Sequence, residues 1–351
     1  MRLPLWTGAG SPKRWAVRLS AGLAAAAIAS AALPSGANAA ESKPVPKTVS
    51  YAERKAVFEE IGSITGIPWN YLAAIDQYER ALSLAMPKKR PLRQGLTAIQ
   101  VPAPLWAGPG NPNQADTSLA TISLFGGIGR DGNGDGVADP SQDLDVLSSM
   151  ASYLTSYGLD PADFRVAVWQ YYGSLRSVER IEQFAGIYKH FGTLDLHRHA
   201  FPLPLGSNYS YRSTWGASRS WGGFRIHEGT DLFAPHGVPV RSTCYGVVEV
   251  IGWNPYGGWR IGIRDPNGVY HYYAHLAGYV KPITRGDYVQ PGQVIGYVGS
   301  SGYGKPGTSG KFPPHLHYGT YRDNGFREWS FDPYPHLSKW EREERAARRA
   351  K

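Results

Sequence analysis

The apolar pattern of the chain changes near residue 200, and this change limits the folds that the chain can adopt. Before it, apolar side chains recur at mixed spacings of three and four, as in "YAERKAVFEEIGSITG", which is typical of amphipathic helices. After it, short β-rich runs such as "VVEVIGW" and "YHYYAHL" are broken by Gly, Pro and Asn. We therefore predict a multidomain α + β protein, with a mostly α domain followed by a β-sheet domain.

The boundary falls in "GTLDLHRHAFPLPLG", which we interpret as a linker, with His197 and His199 as a solvated pair. The charged end "KWEREERAARRAK" is compatible with a short helix, but we expect a solvated basic tail. The predicted segments are a helical domain, a linker, a β domain and a basic tail, at residues 51–191, 192–206, 207–335 and 336–351.

The first 50 residues have the pattern of a targeting segment. Four basic residues precede the apolar run "GLAAAAIASAAL", and Ala37-Asn38-Ala39 supplies small residues for cleavage. We predict a secretory signal at 1–39, a linker at 40–50, and an exported mature protein. The apolar run covers about a dozen residues, which is short for a membrane span, so no span is expected in the mature chain; an uncleaved anchor is the alternative.

Charge and cysteine content narrow the function classes. The formal charge of +9 becomes +5 once the four basic residues of the signal are removed, and a cationic exported protein is attracted to anionic polymers. No basic run carries a recognition motif, so nucleic acid is not expected as a partner. Cys244 is the single cysteine, which excludes an intramolecular disulfide, and we expect it to be buried in a strand.

Histidines and one aspartate in the β-rich half have the spacing of metal ligands. His227 and Asp231 stand four apart in "HEGTD", and either side chain is a ligand that zinc accepts. In "HLH", His315 and His317 stand two apart, so both project from one face of a strand. The third motif is "HYYAH", in which alternation predicts that His271, Tyr273 and His275 share one face.

Residues 215–333 resemble the zinc metalloendopeptidases of peptidase family M23, which are peptidoglycan hydrolases related to lysostaphin. The resemblance rests on "HEGTD", "YYAHL" and "HLH" in this order, with the flanking segments "APHGVPV" and "VQPGQVIGYVGSSGYG". It implies an antiparallel β-sheet domain. It also implies that His227, Asp231 and His317 bind Zn²⁺, and that His275 and His315 act on water and on the transition state.

The resemblance implies an enzyme that hydrolyses peptide stems or cross-bridges of peptidoglycan, and hence a location outside the cell or at the cell wall. The alternative is a non-enzymatic cell-wall binding or regulatory protein, because relatives that have lost the metal site are thought to act in this way. No ligand is missing here, which favours the enzyme. For His236 and His271 we expect a surface loop and a packing or hydrogen-bonding role.

The helical half resembles lysozyme-like lytic transglycosylases in "ITGIPWNYLAAIDQYERAL". The resemblance makes Glu79 a candidate general acid that would cleave glycan strands, and the whole protein would then be bifunctional. The sequence departs from the family pattern because Arg80 stands where a serine is expected, and we expect this arginine to pair with the acid and keep it ionised. A degenerate wall-binding or spacer domain is the alternative.

A short acidic loop, "DGNGDGVAD", has the spacing of an EF-hand loop. Its candidate Ca²⁺ ligands are Asp131, Asn133, Asp135 and Asp139. The twelfth position holds Gln142 in place of the usual glutamate, so the alternative is a turn built by Asp and Gly.

Overall fold

The structure is a computed structural model that describes residues 49–219 and 225–350 of the 351-residue chain. The predicted signal at 1–39 lies outside the described residues, as does nearly all of the predicted linker at 40–50. Within the described ranges, no helix is both long enough and apolar enough to cross a membrane.

The helices are α1 (Tyr51–Thr65), α2 (Trp69–Ala85), α3 (Ala103–Ala107), α4 (Leu119–Leu124), α5 (Asp143–Thr155), α6 (Pro161–Tyr172), α7 (Leu175–Phe191) and α8 (Tyr334–Arg349). The strands are β1 (Ser210–Tyr211), β2 (Ser218–Arg219), β3 (Arg225–Ile226), β4 (Thr230–Phe233), β5 (Pro239–Arg241), β6 (Gly246–Asn254), β7 (Gly258–Arg264), β8 (Val269–Tyr279), β9 (Tyr288–Val289), β10 (Val294–Val298), β11 (His315–Asp323) and β12 (Glu328–Phe331). The predicted order, a helical region followed by strands, is confirmed, and helix α8 follows the last strand.

Local sequence sets the ends of the first helix. The Ser50 side chain accepts a hydrogen bond from the Glu53 amide, and the Glu53 carboxylate accepts one from the Ser50 amide, which forms a capping box. Gly66 ends the helix in the left-handed conformation, with φ of 81°. The buried faces of α1, α2, α5, α6 and α7 meet in one apolar core, in which Phe58, Leu72 and Phe184 are fully buried.

The strands form an antiparallel sheet, as the sequence predicts. Its main path runs β1-β4-β11-β8-β7-β6-β9, with β12 beside β11 and β10 bridging β8 and β5. Strands β2 and β3 form a separate short hairpin. The second apolar core lies under this sheet and includes Leu232, Tyr273 and Leu316.

Residues 336–349 correct the expectation of a solvated tail, because they lie in helix α8. Leu337 and Trp340 of this helix are buried in the core of the sheet. The Glu341 carboxylate accepts hydrogen bonds of 2.6 Å from the hydroxyls of Tyr209 and Tyr211. The high charge density of the segment therefore marks the outer face of a docked amphipathic helix.

The predicted linker is also packed against the folded units. Leu194 and Leu196 belong to the helical core, while Phe201 and Leu203 belong to the core of the sheet. The expectation that His197 and His199 are solvated is wrong. Both are half-buried, because His197 stacks on Tyr51 and His199 lies parallel to Trp340, with ring centroids 4.7 Å apart.

The helices dock onto the sheet through buried charges. Arg180 on α7 donates to the Asp323 carboxylate on β11 at 2.8 Å, and both side chains are almost completely buried. Arg264 on β7 donates to Glu249 on β6 at 2.8 Å and to Glu328 on β12 at 2.9 Å. A paired and hydrogen-bonded network of this kind fixes one orientation, since any shift would leave a buried charge without its partner.

Candidate active site

The candidate metal ligands come together where β4 and β11 pair. The register sets Asp231 of β4 directly opposite His317 of β11. His227 lies in the loop between β3 and β4, and Gly229 allows this loop to approach β11 closely. A Cβ atom at Gly229 would lie 2.6 Å from the Tyr318 carbonyl oxygen and 2.7 Å from the His317 ring, so the close approach requires glycine.

Three ligand atoms converge at this point. Nε2 of His227 and Nδ1 of His317 each lie 3.0 Å from Oδ1 of Asp231, and the two nitrogens are 2.9 Å apart. Ligands at zinc distances in a tetrahedron lie about 3.3 Å from one another, which is close to this spacing. Within the described residues, this is the group of His, Cys, Asp and Glu side chains that could hold a metal ion.

The surroundings suit a cation. Nδ1 of His227 donates to the Thr214 carbonyl oxygen at 2.9 Å, which leaves the lone pair on Nε2 to face the other two ligands. Burial raises the pKa of Asp231, but the close contacts with His227 and His317 outweigh it and hold that pKa well below its usual range. Burial also lowers the pKa of His317, which favours the neutral, metal-binding imidazole.

His275 and His315 complete the site from a second side. Their ring centroids are 4.9 Å apart, and Nε2 of His315 lies 3.7 Å from Oδ1 of Asp231. In each ring Nδ1 donates to a carbonyl oxygen at 2.8 Å, that of Ser301 for His275 and that of Pro313 for His315. These bonds leave Nε2 as the basic nitrogen of both rings.

The prediction that His271, Tyr273 and His275 share one face of β8 is wrong. His271 and Tyr273 are buried on the core side, whereas His275 lines the site. The cause is a break in the strand at His275, where φ is 62° and where the pairing with β7 and β10 shifts register. This left-handed residue turns its side chain to the opposite face.

The remaining predicted positions have structural surroundings. His271 contacts Asp265 at 3.3 Å and the Tyr318 hydroxyl at 2.7 Å in the interior, which agrees with the predicted packing or hydrogen-bonding role. His236 is exposed in a loop, as predicted. Cys244 is buried as expected, but it lies in a bend between β5 and β6 and not in a strand.

A groove of about 820 Å³ includes the metal ligands in its lining. Aromatic side chains form much of its wall, namely Tyr256, Tyr270, Tyr272, Tyr303, Phe312 and Tyr321. Its charged residues beyond the ligands are Arg225, Arg260, Glu228, Glu249 and Glu328. Tyr270 and Tyr272 alternate with two core residues, which indicates that they face the other side.

Glu79 lies on α2, away from this groove, and is fully buried. Its carboxylate accepts hydrogen bonds from the Tyr172 hydroxyl at 2.7 Å and from Nε of Arg90 at 2.8 Å. The expected pairing with Arg80 is wrong, because Arg80 pairs instead with Asp76 at 2.9 Å. Burial raises the pKa of Glu79, and the charge of Arg90 opposes this rise.

The acidic loop satisfies its own backbone. The Asp131 carboxylate accepts from the amides of Gly134 and Gly136 at 2.6 and 2.8 Å, and Asn133 donates to Asp135 at 3.1 Å. Asp139 accepts from the Ser141 amide at 2.8 Å. These contacts are those of a turn, and the predicted Ca²⁺ site is not supported.

Comparison with known proteins identifies the sheet domain. The model of "Peptidase family M23" matches residues 225–332. An L-Ala–D-Glu endopeptidase of Bacillus subtilis (strain 168) is 55% identical over 293 residues, which is 84% of this chain and 90% of that protein.

More distant matches cover the sheet domain. Lysostaphin of Staphylococcus staphylolyticus is 36% identical over 138 residues, 39% of this chain and 24% of that protein. The solved structure of lysostaphin from Staphylococcus simulans is 31% identical, covering 41% of this chain and 54% of that one, with a TM-score of 0.32. On the strength of the Bacillus match, which extends over most of both proteins, the chain belongs to peptidase family M23.

Proposed function

We propose that this protein is a zinc-dependent endopeptidase that hydrolyses the L-Ala–D-Glu bond in the peptide stems of peptidoglycan. The predicted activity, a peptidoglycan endopeptidase, is confirmed by the relatives; the metal and the bond are our proposal. The observation that carries it is the convergence of three ligand atoms, from His227, Asp231 and His317, in the wall of a groove. The identity of 55% with an L-Ala–D-Glu endopeptidase supports the choice of bond.

His227, Asp231 and His317 would hold the zinc ion. When bound, zinc supplies a Lewis acid that polarises the scissile carbonyl and lowers the pKa of the attacking water. The Asp231 carboxylate offsets part of the charge of the ion, and the hydrogen bond from His227 to Thr214 keeps that imidazole in the correct orientation.

His275 and His315 transfer the proton of the attacking water. Burial, together with the nearby His317 and His315, lowers the pKa of His275 to about 3, so this imidazole is neutral at pH 7. Fixed with their Nε2 atoms basic, His275 and His315 are placed to accept a proton from the water and to return it to the leaving amine. A protonated imidazole also stabilises the negative charge that develops on the carbonyl oxygen.

The first test combines metal analysis with the products of digestion. Purified protein is expected to hold about one zinc per chain and to release new D-Glu amino termini from purified peptidoglycan, detected by mass spectrometry. His317→Ala should lose both zinc and activity, whereas His236→Ala, which changes an exposed histidine, should lose neither. A metal-free, inactive wild type would favour the binding or regulatory alternative, and other new amino termini would refute the proposed bond.

For the helical unit, two hypotheses stand, glycan cleavage by Glu79 and a non-catalytic wall-binding or spacer role. We favour the second, because Glu79 is fully buried and its carboxylate is engaged by Arg90 and Tyr172. Anhydro-sugar or reducing ends in the same digest that survive His315→Ala and disappear in Glu79→Gln would establish the first.

We also infer that the protein is exported. The proposed substrate lies outside the cytoplasm, and residues 1–39 have the composition of a secretory signal. Amino-terminal sequencing of protein secreted by the native host should begin at or near Ala40.

A further inference from the structure

The groove contains two arginines whose role in the proposed reaction is unassigned, Arg225 and Arg260. Arg260 stands on β7, between residues that pair with Tyr273 and Leu276 of β8, and so lies opposite the irregular stretch formed by Ala274 and His275. Ala274 in turn pairs with His317 of β11. Neighbouring strands are about 4.8 Å apart, so the backbones of Arg260 and His317 are separated by on the order of 10 Å, within the size of one dipeptide.

In the part of the chain that the structure describes, no carboxylate forms an ion pair with Arg260. Among the described residues, no hydrogen-bond acceptor reaches its buried Nε atom. Tyr272, which hydrogen-bonds Arg260, and the nearby Tyr270 are uncharged phenols, and burial raises the pKa of both. A buried guanidinium donor without an acceptor is costly, and a bidentate carboxylate is the partner that best matches its geometry.

The acidic residues of the same groove have other partners. Glu249 and Glu328 accept from Arg264 at 2.8 and 2.9 Å, and Glu228 accepts from the Tyr321 hydroxyl at 3.3 Å. The Nε atom of the other groove arginine, Arg225, likewise has no acceptor among the described residues, but this arginine lies 5.2 Å from the centre of the Tyr256 ring, on the two-residue strand β3. Arg260 is therefore the better-placed cation, because it projects from the long central strand β7.

The proposed substrate provides a carboxylate at this distance. A glutamyl residue has two carboxyl groups, and only one of them can continue the peptide chain. The residue after the scissile bond of an L-Ala–D-Glu endopeptidase therefore carries one free carboxylate, within a few ångströms of the reacting carbonyl.

We propose that Arg260 is a specificity-determining residue that binds the free carboxylate of the glutamyl residue on the carboxyl side of the scissile bond. This inference rests on the proposed function, since it takes the L-Ala–D-Glu bond as the substrate. The wall of the groove then discriminates between glutamyl and uncharged residues, and the two histidines carry out the proton transfers.

The test compares peptides that differ in one group. Four acetylated peptides containing L-Ala–D-Glu are made. In two of them the chain continues through one glutamyl carboxyl group, and in the other two it continues through the second. In each pair, the remaining carboxyl group is either free or a primary carboxamide. The zinc-loaded wild type is expected to cleave one free-carboxylate form with kcat/KM on the order of 10- to 100-fold above its carboxamide, as a charge-assisted hydrogen bond would give. Arg260→Gln should bring this ratio close to 1.

Three further variants define the result. Arg260→Lys keeps the charge but not the planar fork, so it should retain part of the preference. Arg225→Gln should retain the preference of the wild type, and Arg285→Gln, which changes an exposed arginine in a loop, should leave both kcat/KM values unchanged. If Arg260→Gln does not fold or bind zinc, the ratio measured for Arg260→Lys decides, because a purely structural role predicts no change in selectivity.

The outcomes separate the two proposals. A wild type that releases D-Glu amino termini equally well from carboxylate and carboxamide peptides refutes the role of Arg260 and upholds the proposed function. So does an Arg260→Gln protein that retains the full preference. A wild type that cuts peptidoglycan at another bond and neither peptide refutes both.

Discussion

At the scale of single residues, the site depends on one position without a side chain. Gly229 lies between two metal ligands along the chain, and its Cα faces the ring of a third, His317. Any Cβ there would meet backbone as well as the imidazole, so the strand and the loop would have to move apart.

Gly229→Ala is therefore expected to weaken zinc binding by on the order of 10- to 100-fold, as other changes that misorient a ligand do. Stability should fall by about 1–3 kcal/mol, because the extra methyl overpacks the contact. Gly278→Ala is the matched control, since a Cβ at this sheet position meets nothing within 4 Å. Competition with a chelator measures the affinity, and an unchanged zinc affinity in Gly229→Ala would contradict the role of this close approach.

The sequence identifies the residues of the site better than their orientation. The spacing of His315 and His317 correctly places both on one face, because β11 is regular there. Alternation fails for His275, because the left-handed residue reverses the face, and a conformation of this kind depends on contacts with distant strands. Arg260 also escapes prediction, since nothing in its local sequence relates it to the ligands.

At the scale of elements, the many charged residues of helix α8 make it difficult to predict from the sequence that this helix packs against the sheet. Its apolar residues are few, Leu337 and Trp340, and they stand three apart as one face requires. Two of its acids, Glu341 and Glu344, accept hydrogen bonds from side chains outside the helix, as Glu344 does from Arg241 at 3.0 Å. The sequence gives the helical spacing, but the partners that favour a docked helix lie more than 100 residues away.

The stacking of His199 on Trp340 makes the attachment of this helix sensitive to pH. Burial lowers the pKa of His199 to about 4, with a smaller effect from the nearby His271, against an unfolded value of about 6.5. Protonation of His199 is thus easier in the unfolded chain. The stabilisation that neutral His199 contributes is therefore fully present above pH 6.5 and is lost as the pH falls from there towards 4.

We expect the wild type to lose about 1–2 kcal/mol of stability from this residue between pH 7 and pH 5. His199→Phe keeps the stacked ring but cannot be protonated, so its stability should depend less on pH over this interval. Urea unfolding at both pH values measures the difference. Equal losses in the two proteins would show that His199 does not contribute.

At the scale of the whole molecule, buried charges hold the helices against the sheet. The change of pattern near residue 200 predicts two structural units, and each has its own apolar core. It does not predict their docking, because Arg180 and Asp323 are 143 positions apart and each looks like an ordinary surface charge in its local sequence. Pairing at such distances leaves no periodic signal.

Arg180→Ala should destabilise the protein by about 3–5 kcal/mol, because it removes the cation that hydrogen-bonds the buried Asp323 carboxylate, and Arg264, at 3.8 Å, lies beyond hydrogen-bond distance. The matched control is Arg165→Ala on α6, which breaks an exposed pair with Glu182 and should cost less than about 1 kcal/mol. Denaturant unfolding followed by circular dichroism measures both. Combining Arg180→Met with Asp323→Leu should recover most of the loss, and a double variant as unstable as Arg180→Ala would argue against the ion pair as the cause.

The shared position of Glu249 and Glu328 joins substrate binding to the docking of the helices. Both carboxylates line the groove, and both belong to the network that includes Arg180. Thermodynamic linkage is reciprocal, so a ligand whose affinity depends on these carboxylates stabilises the docked helices by the same free energy that docking adds to its binding. A substitution in α7, far from the zinc ligands, would then change the affinity for long peptides and leave the cleavage of short peptides the same.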